Sequence, residues 1–143
     1  MESILEPMHC LIRTDGGARG NPGPAGIGVV IENADTGEIL EKHSRFLGKT
    51  TNNQAEYRAA ILGLERCLHL HANEVDVLAD SELLVKQANG TYRVKHPDLA
   101  LRFAELKRLE ARFNIVRYRH VRREQNKIAD KLANEAMDRG KDV

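Results

Sequence analysis

The sequence predicts a single domain built on a mixed β-sheet with helices on its faces, an α/β or α+β sandwich. Three observations predict it. Strand-like runs joined by short turns fill the chain up to Leu47. From Thr51 onward, short apolar strands alternate with segments of helical period, and strands first paired as a meander and then separated by helices imply antiparallel followed by parallel pairing. Finally, 143 residues, 41% hydrophobic and 30% charged, suffice for one core and not for two.

The first strand is His9 to Thr14, ended by the Gly- and Pro-rich stretch Gly16 to Pro24, in which neither a helix nor a strand interior is expected. The β-branched run Ile27 to Ile31 is the second strand. After the turn signal Ala34-Asp35-Thr36-Gly37, a more polar third strand runs from Glu38 to about Leu47. Thr51-Asn52-Asn53-Gln54 reads as a capping box that opens a helix to about His71, with Tyr57, Ile61, Leu64 and Leu68 facing the core. Val75 to Ala79 is a short strand ending at Asp80, and Ser81 to Asn89 a helix stopped by Gly90. Asp98 to Phe113 is an amphipathic helix, Ile115 to Val121 a strand, and Gln125 to Arg139 a final helix. Residues 1–7 and 140–143 are expected to be flexible ends.

The longest apolar run, Ala25 to Ile31, is far short of the ~18 to 20 residues that cross a bilayer, and Met1 to Met8 carries two Glu and no apolar signal core. No membrane association is expected. Cys10 and Cys67 are too few for a disulfide framework or a cysteine zinc site, and two buried free thiols suit a reducing, cytoplasmic setting. Their mutual distance is not legible. With no interface signal, a monomer is expected.

Two apparent phosphate motifs fail. Gly48-Lys49-Thr50 resembles the end of a P-loop, but His43 stands where that loop needs its first Gly. The Gly-rich stretch after Asp15 leads into a strand rather than a helix N-terminus, which excludes a dinucleotide fingerprint. Four acids then need an account: Asp15 at the end of a strand, Glu56 among Ala55, Ala59 and Ala60, Asp80 at the end of another strand, and Asp130 in the first turn of the last helix. Singly, each has an ordinary role as turn former, solvated acid, cap or first-turn acid. Brought together they would repel unless cations neutralised them, and an oxygen-only site suits Mg²⁺ or Mn²⁺. Two such ions roughly 3.5 to 4 Å apart support phosphodiester hydrolysis.

Four segments, Asp15 to Gly26, Thr51 to Tyr57, Ala79-Asp80-Ser81 and Glu124 to Asp130, resemble in order the motifs of type 1 ribonuclease H, across residues 9 to 139. The resemblance implies a ribonuclease H-like fold: a five-stranded mixed sheet, three antiparallel strands followed by parallel ones, with helices on both faces. It implies an endonuclease for the RNA strand of RNA/DNA hybrids that leaves 5′-phosphate and 3′-hydroxyl ends and uses two Mg²⁺ ions, with Mn²⁺ as a substitute. By the same resemblance Asp15 bridges both ions, Asp130 completes the one that activates water, and Glu56 with Asp80 completes the one at the leaving oxygen. Asn21, Asn52 and Asn53 would read 2′-hydroxyls in the minor groove, and Thr51 with Lys49 would hold a DNA phosphate. The alternatives are a nuclease of this fold acting also or mainly on double-stranded RNA, and a non-catalytic hybrid-binding module.

The chain departs from the family in two places. Residues 122 to 126 are too few for the usual loop with an assisting His, and His120 falls in a predicted strand, where it reads as a packed structural residue. Arg123 or Glu124 then becomes the candidate for the assisting role, Arg123 acting through charge because it cannot shuttle protons. The basic protrusion is also missing. Twelve Lys and Arg against four acids from Lys86 to Lys127 could replace it, with Arg93 and Lys95 beside Tyr92 as candidate DNA contacts and Arg102 to Arg112 either contacts or a solvated helix face. The net charge of +1, from 22 Lys and Arg against 21 Asp and Glu, therefore averages two unlike halves.

Overall fold

Period-two alternation in the first two strands decides which residues meet which helix. In a computed structural model of the protein, which describes residues 7–140, β1 (His9–Ala18), β2 (Gly23–Asn33) and β3 (Ile39–Thr50) form an antiparallel meander. The chain continues through α1 (Asn52–His69), β4 (Glu74–Ala79), α2 (Glu82–Ala88), α3 (Pro97–Glu110), β5 (Ile115–His120), a 3₁₀ turn (Arg123–Gln125) and α4 (Lys127–Arg139). The sheet order is β3-β2-β1-β4-β5, with β4 parallel to both β1 and β5. The expected five-stranded mixed sheet is the one observed. Of the expected flexible ends, all but Pro7 and Gly140 lie outside the described residues, and Gly140 closes α4 in the left-handed conformation.

Central β2 is buried along nearly its whole length, and β1 is buried on one face and half-buried on the other. Ile12 and Val29 pack against Gly63 of α1, whereas Gly26 and Gly28 of β2, on the opposite face, lie directly beneath the backbone of α4. Helices therefore cover both faces. Ala129, Ala133 and Ala136, the buried stripe of α4, carry side chains small enough for that approach, and Ser44 of β3 fastens the helix by donating to the Leu132 carbonyl at 2.6 Å.

The structure corrects the expectation for the Gly-rich stretch. β1 runs on to Ala18 and β2 begins at Gly23, with Gly16 opposite Ile27 and Gly17 opposite Gly26. Gly16 and Gly17 do not break the strand; Gly16 removes a side chain that α1 would strike, while Gly20 and Gly23 serve the tight turn between β1 and β2. The capping box at α1 is half formed. Thr51 Oγ1 accepts from the Gln54 amide at 3.2 Å, but the Gln54 side chain accepts from Arg102 Nε at 2.9 Å rather than returning to the cap.

Two polar ties complete the α1 face. Arg66 holds Glu41 of β3 through two bonds of 2.8 Å, which draws the Glu41 carboxyl down to about 2. Tyr57 donates to Gln87 of α2 at 2.6 Å inside the core. Cys10 and Cys67 are fully buried free thiols in contact with each other, and the hydrogen bond to Cys10 together with burial holds the Cys67 thiol far above its usual range.

The close seat of α4 gives a stability prediction. A Cβ on Gly28 would overlap the Ala129 carbonyl oxygen, and backbone cannot yield as a flexible side chain does. Gly28→Ala should cost about 1 to 3 kcal/mol in urea denaturation, the usual penalty of overpacking, and an unchanged midpoint would refute the contact.

Candidate active site

Parallel pairing of β1 with β4 stops at Thr14 opposite Ala79, so Asp15, still paired with Gly28 of β2, and Asp80, the first residue past β4, adjoin where the two parallel strands part. Ligands of open α/β sheets gather at such edges. Glu56 joins them because Gly16 lets the backbone of α1 press onto β1: a Cβ there would overlap the Ala55 carbonyl. Asp130 joins them from the other face, one residue beyond the Ala129 carbonyl that rests on Gly28. The four carboxylates line one cavity of about 370 Å³, with Gly16, Gly17, Ala18, Arg19, Asn52, Arg123, Asn134 and Met137 completing its wall.

Burial and neighbouring charge make three of these carboxylates, Asp15, Glu56 and Asp80, poor acids. Asp15 is pushed up to about 8, first by burial and then by Asp80 and Asp130. Burial pushes Glu56 up to about 7 with help from the Asp80 charge, although a hydrogen bond with Ser81 partly offsets both. Asp80 is raised as well, by burial and by the charge of Asp130. Near neutral pH the cluster therefore keeps protons unless a cation replaces them. An all-oxygen donor set fits Mg²⁺ or Mn²⁺. Among the described residues no three such side chains converge tightly enough to enclose an ion, and the cleft is open, which suits a cation that retains water and shares substrate oxygens. Of the two arginines in the wall, Arg19 pairs with Asp138, whereas Arg123 faces the cluster: its Nη2 lies 3.3 Å from Asp130 Oδ1 and its charge also favours ionised Asp80.

A polar rim adjoins the carboxylates. Asn52 Oδ1 accepts from the Ala18 amide at 2.7 Å, and Asn21 Oδ1 accepts from the Asn52 amide at 3.1 Å. With both oxygens committed, each side chain keeps its NH₂ as the free group, a donor for hydroxyl or base acceptors. Asn21, Thr51 and Asn53 also line a second cavity of about 600 Å³ between the start of α1 and α3, where His96, Arg102 and Arg108 supply basic groups. Thr51 Oγ1 accepts from Gln54 and so keeps its proton to donate outward.

Other expected contacts do not converge. Lys49 is exposed on β3 opposite Pro24, and Arg93 and Lys95 are exposed in the connection between α2 and α3; none of the three lines either cavity. The basic stretch is divided among several jobs. Lys107 turns inward to donate to the Ala88 carbonyl, and Arg117 and Arg119 pair with Asp76 on the sheet surface. Only Arg102 and Arg108 of the α3 candidates reach the larger cavity. His120 is not packed as expected; it is exposed at the end of β5 opposite Ala79. Arg19, Asn134 and Met137 were not anticipated in the wall, because their neighbours across the cleft are more than a hundred residues away in sequence for Arg19 and α4.

A family model described as "Reverse transcriptase-like" matches residues 13–136. The chain is 46% identical over 131 residues to a bifunctional protein of Mycobacterium tuberculosis (strain ATCC 25618 / H37Rv), covering 92% of this chain and 36% of that protein. It is 40% identical over 124 residues to ribonuclease HI of Halobacterium salinarum, covering 87% of this chain and 62% of that one. The chain thus spans about a third of the length of the mycobacterial relative and less than two thirds of the halobacterial one. Among solved structures, LC11-RNase H1 in complex with an RNA/DNA hybrid superposes with a TM-score of 0.85 at 46% identity, covering 91% of this chain and 97% of that chain.

The raised carboxyls give a pH prediction. The folded chain holds the Asp15 and Glu56 protons to about 8 and about 7, whereas the unfolded chain releases them at 3.8 and 4.5, so the stability these groups contribute is present below about pH 4 and lost as pH rises to about 8. In chelator, the Tm of wild type relative to Asp15→Asn should fall across that interval. Mg²⁺ should raise the wild-type Tm more at about pH 8 than at about pH 5. A parallel pH profile for both proteins would contradict the shifted pKa values.

Proposed function

The chain belongs to the ribonuclease H family, and from that membership we propose that it hydrolyses the RNA strand of RNA/DNA hybrids endonucleolytically, leaving 5′-phosphate and 3′-hydroxyl ends. The observation that carries the proposal is the convergence of Asp15, Glu56, Asp80 and Asp130 on one cleft, beside amide donors aimed at a groove. LC11-RNase H1, similar over nearly its whole chain, was crystallised with an RNA/DNA hybrid, which supports the substrate.

Two Mg²⁺ ions, or Mn²⁺ in their place, would be held by these four carboxylates and would supply activation of the attacking water and stabilisation of the leaving 3′-oxygen. In this reading Asp15 would serve both ions, Asp130 would act on the water side, and Glu56 and Asp80 on the leaving-group side. Asp15 sits in a central strand paired with Gly28 of β2, with the β1–β4 pairing reaching Thr14 just before it. Asp130 sits in a first helical turn, with Arg123 as its present partner. Arg123, beside Asp130, would offset negative charge on the phosphate or the departing product.

Discrimination rests on the rim. The free NH₂ groups of Asn52 and Asn21 suit 2′-hydroxyl oxygens, which mark the RNA strand, and the Thr51 hydroxyl suits a phosphate of the DNA strand. Asn53, beside Thr51, lines the same larger cavity, and Lys49, Arg93 and Lys95 would add charge only at longer range. A reducing, cytoplasmic location and a monomeric state complete the reading; the two thiols are free, and no helix among the described residues is long and apolar enough to cross a membrane.

Labelled hybrid, duplex RNA and duplex DNA incubated with Mg²⁺, Mn²⁺ or chelator test the proposal. Metal-dependent cutting of the hybrid RNA strand is expected, and its absence would sink the enzyme reading, while stronger cutting of duplex RNA would reassign the substrate. Asp80→Asn should abolish cleavage by more than about 100-fold, beyond the loss from an indirect ligand contact, with hybrid affinity retained. Arg123→Ala should lower kcat by about tenfold, less than loss of a buried oxyanion donor, at nearly constant KM. Full turnover in that variant would remove Arg123 from the reaction.

A further inference from the structure

Asn126 is the most deeply buried polar side chain among the described residues, with no exposed surface at all. It stands at the N-cap of α4, where Asn ordinarily caps the helix. Thr51, Ser81 and His96 do accept from the amides of their helices, but the Asn126 side chain makes no cap bond. Its Nδ2 donates instead to the Thr14 carbonyl at 2.8 Å, in the peptide group that joins Thr14 to Asp15. Its own carbonyl accepts from the Asp130 amide at 3.0 Å. One residue therefore links the backbone beneath Asp15 to the backbone of Asp130. Arg13 adds a parallel strut, donating to the Gln125 carbonyl at 3.3 Å while Glu32 holds it at 2.8 Å.

This arrangement is not one that stability favours. The cap bond is forgone, and Asn126 Oδ1 is buried without a hydrogen-bond donor among the described residues, which costs free energy. Nor does α4 need Asn126 to stay on the sheet. Its alanine stripe sits on Gly26 and Gly28, and Ser44 is bonded both to the Leu132 carbonyl and to Arg139. The bond to Thr14 acts only at the end of α4 that carries Asp130.

We infer that Asn126 is a positioning residue that locks the first turn of α4 to the strand peptide before Asp15, and so sets the spacing of the two carboxylates for a divalent cation. The inference rests on the proposed function, since it takes Asp15 and Asp130 as ligands. Fully buried, Asn126 touches no substrate; it acts through the geometry of its neighbours, as indirect partners of metal ligands do.

Mg²⁺ titration of the substrate-free protein, followed by the amide NMR shifts of Gly16 and Gly17, provides the test. Asn126→Ala should weaken Mg²⁺ binding roughly tenfold while leaving the KM for hybrid unchanged. Arg13→Gln, at a half-exposed strut, should weaken it by about two- to threefold. Leu106→Ala, at a buried position of α3, lowers stability without touching the struts and should leave Mg²⁺ affinity unchanged. Wild-type Mg²⁺ affinity in Asn126→Ala, or an equal loss in Leu106→Ala, overturns the inference. If Asn126→Ala does not fold, unchanged affinity in Arg13→Gln overturns it alone. No Mg²⁺ binding by the unaltered chain would bring down the proposed function as well, which separates the two failures.

Discussion

Backbone-to-backbone contact at Gly16 and Gly28 is the constraint on which the rest of the structure depends. At Gly16 the second turn of α1 rests on β1, and at Gly28 the first turn of α4 rests on β2. These are the turns that carry Glu56 and Asp130. A side chain at either glycine would push a helix outward and take its carboxylate away from Asp15 and Asp80, which the parallel register delivers from the sheet. The Gly-rich segment is thus no phosphate cradle: its turn is confined to residues 19–22, and Gly16 with Gly28 beyond it form bare sheet that receives two helices.

Once assembled, the cluster is electrostatically unfavourable, and that cost is what makes it selective for cations. Burial and neighbouring charge raise Asp15, Glu56 and Asp80 together, so a divalent ion relieves desolvation and repulsion in a single step. Arg123 relieves part of it in the meantime from an exposed position. The surrounding amides follow an equally economical plan. Asn21 and Asn52 use their oxygens to close the β1–β2 turn against α1, and the same bonds leave their donors facing the groove. The fold-forming bond and the free donor lie on opposite ends of one side chain.

The near-neutral composition concealed this division. Basic residues from Lys86 to Lys127 offered either nucleic-acid contacts or a solvated face, and neither describes them all: Lys107 satisfies the end of α2, Arg117 and Arg119 pair with buried Asp76, and Arg102 is tied to Gln54. A run of like charge in sequence becomes a surface patch only if the elements that carry it share a face, and α3 and β5 do not.

The order of elements, the mixed sheet and the four acids were legible in the chain, because hydrophobic period and turn chemistry are local and because ordered motifs identify residues without needing their distances. The role of the glycines was not, since the reason for each lies in a helix that arrives forty or a hundred residues later. His120 read as packed from its strand, but burial at a sheet edge depends on what covers it, and nothing covers that end of β5. Asn126 lay within a quoted motif and still had no assigned part: its amide, one turn before Asp130, has a visible purpose only beside the Thr14 carbonyl, 112 residues away. Residue types set the chemistry that this chain can perform; long-range packing sets the spacing between groups, and a cation responds to that spacing within fractions of an ångström.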